Sequence, residues 1–210
     1  MAQPRQKQHE RRAETRRKLI DGAIECLMDM GYAGANVQEI CRRAGVTTGA
    51  IQHNFGSKQG LMTAVVEELF RSFADAAPPR GPARLPLEDR IGRLVDHYWS
   101  IYGDDRYFAI LEILLATRHD EELMLFVARH RQNLLTSLRS FLPREFSDVD
   151  LPAETLLEIA HDMMDYLRGY AVHRLYQRET RLDDAALERA RTMVREGFEA
   201  ALKSEERERP

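Results

Sequence analysis

Apolar side chains recur along this chain every three to four positions. No stretch alternates apolar and polar residues over the length of a strand between Asn-Gly or Asp-Gly turns. That periodicity predicts an all-α fold of about nine helices. The first covers about 10–30, with Ile20, Ala23, Ile24 and Leu27 as its buried stripe and Gly31 placed as a left-handed C-terminal cap. After a break at 31–35, Asn36 stands three residues ahead of Glu39, the spacing of a capping box in which the Asn oxygen takes a backbone N–H and the glutamate reaches back. Short helices at about 37–44 and 48–54 flank the turn Gly45-Val46-Thr47, and Ser57 is placed to cap a long helix at about 58–77. Further helices are expected at about 87–102, 105–117, 120–141, 153–177 and 184–203, with Pro143 and Pro152 bounding the loop before the fourth of these and a frayed tail at 204–210. Half of the eight prolines (Pro78, Pro79, Pro82 and Pro86) fall together and end the fourth helix. The chain is thereby divided into an N-terminal domain at 1–60, a connecting helix and Pro-rich linker at 61–86, and a larger helical domain at 87–210.

Composition narrows the class without naming it. With 43% hydrophobic and 31% charged residues, the chain is globular and not disordered. It has no run of eighteen apolar residues, so neither a membrane span nor a membrane partner is expected. The first eighteen residues are polar and basic and lack the apolar core of a secretory signal. Two cysteines, Cys26 and Cys41, are too few for a disulfide framework or a zinc site, which points to a reducing cytoplasm. There is no Gly-rich phosphate loop, no His-Glu-x-x-His, no paired cysteine spacing and no nucleophile setting. The sequence therefore argues against an enzyme and implies neither cofactor nor metal.

Charge is what separates the two ends. The net charge is −3, yet residues 1–60 hold ten Lys/Arg against six carboxylates and the other 150 hold 21 against 28. A basic end on an acidic body suits one end meeting a polyanion. The arm from Arg5 to Lys18 either tracks phosphates or a minor groove, or only raises non-specific attraction; Arg16 and Arg17 are its stronger candidates.

Two short helices joined by a tight turn with a glycine form a helix-turn-helix, whose second helix must project so that its first residues reach base edges in the major groove. Ile40, Val46, Ile51 and Phe55 are the expected small core of this motif, Cys41 the small residue where its helices cross, and Gly45 the turn residue. The run Thr15-Arg16, Gly31-Tyr32, Val37-Gln38-Glu39-Ile40-Cys41, Ala44-Gly45-Val46-Thr47-Thr48-Gly49-Ala50-Ile51 and Phe55-Gly56-Ser57-Lys58-Gln59-Gly60-Leu61 resembles the TetR family of bacterial transcriptional regulators over about 15–66. The resemblance implies a homodimer on double-stranded operator DNA, regulated by a small-molecule effector. It also implies that Thr47, Thr48, Gly49, Gln52, His53 and Asn54 face the groove. Thr48 and Gln52 are the expected base contacts, Thr47, His53 and Asn54 phosphate contacts, and Lys58 a phosphate clamp beside a helix N-terminus. Gln38 is a further candidate. Where the family usually carries an aromatic, this chain has Gln52, a side chain able to make a bidentate contact to adenine.

The resemblance also implies an effector cavity among the first helices of the larger domain. His97, Tyr98, Trp99, Tyr102, Phe108, Phe126, His130, His161, Met164 and Asp165 are its candidate lining, a set suited to an apolar or aromatic molecule; at helical spacing such residues also serve as plain core. His161 and Asp165, four apart, share a helix face and pair by a hydrogen bond more readily than they bind metal. Apolar positions on the last two helices are broad enough for two buried faces, one on the core and one on a twofold partner. Gly169 and Gly197 are expected at close helix approaches, and Met193 and Phe198 on the partner face. The alternative reading is a DNA-binding regulator controlled by a protein partner, or constitutive, without an effector cavity.

Overall fold

A computed structural model describes residues 4–74, 85–175 and 183–208. The expected breaks at Pro78, Pro79 and Pro82, the residues beyond 175 in the eighth helix, and the arm side chains of Arg5 and Lys7 lie outside the described residues. Among the described residues there are nine helices and no strand: α1 (Pro4–Gly34), α2 (Val37–Ala44), α3 (Gly49–Phe55), α4 (Lys58–Ala74), α5 (Leu87–Tyr102), α6 (Asp105–Ala116), α7 (Glu121–Glu145), α8 (Ala153–Arg174) and α9 (Asp183–Glu208). None of them is long and apolar enough to cross a membrane.

By packing, the chain forms two units, Met1–Phe73 with Asp105–Val127, and Ala74–Asp104 with Ala128–Pro210. The sequence break at the prolines does not show this grouping, because α6 follows that break yet packs on α1. The core of the first unit joins Leu19, Ala23, Cys26 and Leu27 of α1 to Ile40 and Cys41 of α2, Ile51 of α3, Leu61, Met62, Val65 and Leu69 of α4, and Ile110 and Ile113 of α6. Each such aliphatic side chain contributes about 1.5–3 kcal/mol relative to leaving it in water.

The second unit buries Ile91, Leu94, Val95, Tyr98 and Tyr102 of α5, Leu138 and Leu142 of α7, the stripe Leu156, Leu157, Ala160, Met163, Met164, Leu167 and Ala171 of α8, and Ala190, Val194 and Phe198 of α9. Arg90 is also buried: its guanidinium binds both Asp148 oxygens at 2.5 and 2.7 Å and donates to the Glu145 carbonyl at 2.6 Å, above the Phe146 ring.

Four helix boundaries differ from the sequence expectation: α1 ends at Gly34, past a kink at Gly31, and not at about 30 with Gly31 as its cap. α1 begins at Pro4, where a missing N–H costs no helical bond, so the basic arm is a helical extension whose residues from 8 to 14 are all exposed. α7 runs through Pro143 to Glu145. The proline forfeits one bond near the helix end, and the last turn is held by the buried Phe146, whose N–H bonds Leu142 at 2.9 Å, and by the Arg90 bond to Glu145. α9 stays helical to Glu208 instead of fraying at 204.

Candidate nucleic-acid interface

The helix-turn-helix is built by local bonds of the expected kind, with one exchange of partners. Asn36 accepts the Glu39 N–H at 3.0 Å, but the Glu39 carboxylate does not return to Asn36; it binds Arg42 at 2.5 and 2.7 Å and Arg43 at 3.0 Å. Those charged hydrogen bonds, Arg42's first, pull its carboxyl from 4.5 to about 2. Gly45 closes α2 at φ 65 and ψ 35, as the turn requires. α1 also approaches α2 closely, at Gly22, where a Cβ would stand 3.1 Å from the Ala44 nitrogen and 3.2 Å from the Ile40 carbonyl oxygen. Ser57 caps α4 by accepting the Gly60 N–H at 3.0 Å, and a Cβ on Gly60 would collide with the Phe55 carbonyl. The end of α3 therefore rests directly on the first turn of α4.

On this frame, Thr47, Thr48, Gly49, Gln52 and His53 are exposed, as is Gln38 at the start of α2. Thr48 and Gln52 lie four apart and so share one face of α3. Asn54 departs from the expectation of a phosphate contact: it is half-buried, its amide donates back to the Ala50 carbonyl at 2.9 Å, and its Oδ1 is buried without a hydrogen bond. An amide turned onto its own helix does not face a backbone phosphate.

Lys58 is half-buried as well. Its ammonium lies 4.5 Å from the centroid of the Tyr32 ring and 3.5 Å from the Tyr32 carbonyl oxygen, and burial lowers its pKa from the ordinary value. Tyr32 is a junction that the sequence reading missed. Its N–H is bound by Glu112 of α6 at 2.6 Å, beside Gly31, whose φ of 69 kinks α1 and whose missing Cβ leaves room for that carboxylate. Only the Gly-Tyr pair marks this junction in the sequence. Arg16 of the basic arm also reaches the end of α3, where its Nη1 donates to the Asn54 carbonyl at 3.1 Å, a contact with no local sign in the sequence.

The ten candidate lining residues do not gather in one unit. Phe108 and Phe126 belong to the first, where Phe126 stacks on Phe70 at 6.2 Å. The other eight belong to the second. There Tyr98 stacks on Tyr102, His97 meets Tyr98 edge-on and Trp99 packs on Tyr170. Burial pushes the Tyr98 phenol up and the His130 imidazole down. Met164 is buried. The expected pair of His161 and Asp165 is not formed: Asp165 accepts from Arg168 at 2.8 Å, Arg168 also donates to the Tyr102 hydroxyl at 2.9 Å, and the His161 Nε2 is buried with no partner. A bidentate-capable guanidinium three residues away is the stronger donor.

Of the residues expected on a partner face, Phe198 is 3% exposed and its ring meets Phe146 at 5.1 Å, which makes it protomer core; Met193 is half-buried. Gly197 does mark a close approach, with a Cβ there 3.2 Å from Ile159, whereas a Cβ on Gly169 would meet nothing within 4 Å.

An exposed seven-residue helix with hydrogen-bonding side chains on its leading face, packed on two helices and preceded by a basic one, defines a helix-turn-helix DNA-binding protein. Residues 19–65 match the model of the bacterial regulatory proteins of the tetR family. The HTH-type transcriptional regulator CymR of Pseudomonas putida is 30% identical over 200 residues, covering 91% of this chain and 96% of CymR. The chain belongs to the TetR family of bacterial transcriptional regulators, which are not enzymes. Among solved structures, a TetR transcription regulator from Haloarcula marismortui superposes with a TM-score of 0.67 at 18% identity, over 90% of this chain and 98% of that one. The multidrug binding protein EbrR, solved in complex with malachite green, gives a TM-score of 0.56 at 21% identity, over 85% and 96%.

Proposed function

We propose that this regulator is a cytoplasmic repressor that binds a near-palindromic operator as a homodimer and is released by a small, mostly apolar or aromatic effector. The observation that carries the reading is the exposed row Thr47, Thr48, Gly49, Gln52 and His53 on a helix whose other side is anchored in the core through Ile51. In this division of labour residues 1–60 hold the DNA contacts, 61–86 connect, and 87–210 carry the effector and dimer surfaces. Thr48 and Gln52 read bases. Thr47, His53 and Lys58 hold phosphates, and Gln38 adds a contact from α2.

For dimerisation, α8 with its C-cap residue and α9 still offer the half-buried Tyr166, Leu187 and Met193 and the exposed Val172 and Leu175, the last 61% exposed, after their inner stripes are covered. A twofold pair sets its two recognition helices about 34–36 Å apart, one turn of DNA. For the effector, the support is the aromatic pairs Tyr98–Tyr102 of α5 and Trp99–Tyr170 between α5 and α8, together with the fact that EbrR, a protein of this fold, was solved with malachite green. An effector that favours a conformer with the wrong spacing by about 1.4 kcal/mol weakens operator binding about tenfold.

The test is selection of bound fragments from randomised duplexes, followed by a screen of aromatic and apolar metabolites on the selected duplex. A two-half-site sequence and at least one compound that both raises the melting temperature and weakens binding are expected. Selection without half-site symmetry contradicts the dimer, and a screen without such a compound transfers control to a protein partner or to none.

A further inference from the structure

α3 is two turns long, and its leading end lacks a side-chain cap, since Thr48 has helical dihedrals and makes no capping bond. A helix this short is marginal by itself and is held by what it packs against. Ile51 anchors its middle. At its trailing end, Arg16 of α1 donates from Nη1 to the Asn54 carbonyl at 3.1 Å, and its guanidinium carbon lies 4.3 Å from the centroid of the Phe55 ring. That carbonyl is one of those the helix ladder leaves unpaired at its C-terminus, where a positive charge also meets the negative end of the helix dipole. A planar guanidinium lies flat on the ring with an N–H still aimed at the carbonyl, a fixed geometry that the point charge of a lysine ammonium reproduces only in part. Gly60 closes the other side of the same carbonyl row, so a shift at this end moves α3 as a whole.

We propose that Arg16 is a positioning residue for the recognition helix: it fixes the rotation and axial position of α3 on α1, so that Thr48 and Gln52 meet base edges in register, and it is not itself a phosphate contact. The inference rests on α3 being the element that enters the major groove. A phosphate contact weakens binding to every sequence when removed and lowers the salt dependence; a positioning contact costs affinity only where base edges must be met.

The experiment compares the wild type with Arg16→Ala, Arg16→Lys and Phe55→Leu. Its probes are a duplex of about 30 bp recovered from a randomised library by the wild-type protein, and a scrambled duplex of the same composition. Hydrogen exchange over residues 49–55, measured without DNA, reads the tether directly. Arg16 is exposed, so its replacement leaves the core intact. Expected for Arg16→Ala are exchange about tenfold faster in α3 with α2 unchanged, selected-duplex affinity about tenfold lower, scrambled-duplex affinity within about twofold, and an unchanged salt slope. Phe55→Leu follows in the same direction, and Arg16→Lys recovers only part of the loss. Equal weakening on both duplexes with a salt slope lower by about 1 makes Arg16 a phosphate contact and overturns the proposal. Unchanged exchange and affinity, or full recovery by lysine, overturns it as well. If the wild type enriches no sequence, the base-reading role of α3 fails, and the exchange data alone then decide whether Arg16 holds α3.

Discussion

Replacing a glycine inside a helix by alanine ordinarily stabilises it by up to about 1 kcal/mol. Gly60 and Gly169 both lie inside helices, yet opposite outcomes are expected for them. At Gly60, in the first turn of α4, the new Cβ would overlap the Phe55 carbonyl, and neither side can yield cheaply. The Gly60 N–H is bonded to Ser57, and the obstructing atom is backbone at the end of α3. Overpacking costs about 1–3 kcal/mol, and an overlap with backbone belongs at the upper end; less a propensity gain of up to about 1 kcal/mol, a net loss of about 2 kcal/mol remains. At Gly169, inside α8 and more than one turn from its end, a Cβ meets nothing within 4 Å, so the full propensity gain of up to about 1 kcal/mol remains. Urea midpoints of the two variants should therefore move in opposite directions from the wild type. The Gly60→Ala chain should also lose affinity for the selected duplex, because relief of the clash displaces α3. A Gly60→Ala chain as stable as the wild type refutes the packing argument. A Gly169→Ala chain that dissociates as it loses stability would show a partner helix covering that position.

Three further expectations come from particular contacts. Phe198→Ala should cost about 3–5 kcal/mol at every protein concentration, since the ring fills the protomer core against Phe146; a thermal-melt loss that disappears at high concentration would return Phe198 to an interface. The Glu39 carboxyl is held near 2 when folded against 4.5 ordinarily, so its stabilising contribution is complete above about pH 5 and is lost as pH falls through 4.5 toward 2. The urea-midpoint difference between wild type and Glu39→Gln should accordingly shrink between about pH 6 and pH 3, and a constant difference contradicts the Arg42 and Arg43 bonds as its cause. Lys58→Ala should weaken binding to all duplexes and lower the salt slope by about 1, whereas an unchanged slope would confine Lys58 to holding Tyr32.

What was legible in the sequence follows the range of the forces involved. Helix periodicity, the Asn36 cap, the Ser57 cap and the left-handed Gly45 depend on residues within a few positions, and all of them stand in the structure. The partners of charged side chains were not legible. Glu39 had the spacing to return to Asn36, but two guanidiniums three and four residues on compete for it and win. In the same way Asp165 goes to Arg168, and the buried His161 Nε2 is left without a partner. The contacts that assemble the motif from distant segments were hidden altogether. Gly22 against α2, Arg16 on the end of α3 and Glu112 on Tyr32 span separations up to 80 residues, and apart from the Gly31-Tyr32 pair nothing local marks them. The face of α9 shows the remaining ambiguity: Phe198 and Met193 look alike as apolar positions, and only packing puts the first in the core and leaves the second half-exposed.

If the exposed face of α3 reads sequence, Gln52 tests it most directly, because its exposed amide is able to make a bidentate contact to a base edge. The measurement is the affinity of wild type and Gln52→Ala for the selected duplex and for a panel carrying every single base-pair change in one half-site. Gln52→Ala should lose about 1–3 kcal/mol on the selected duplex and lose discrimination at one position per half-site, with affinity for scrambled DNA unchanged. Equal losses on selected and scrambled DNA, with discrimination intact at every position, would contradict the account.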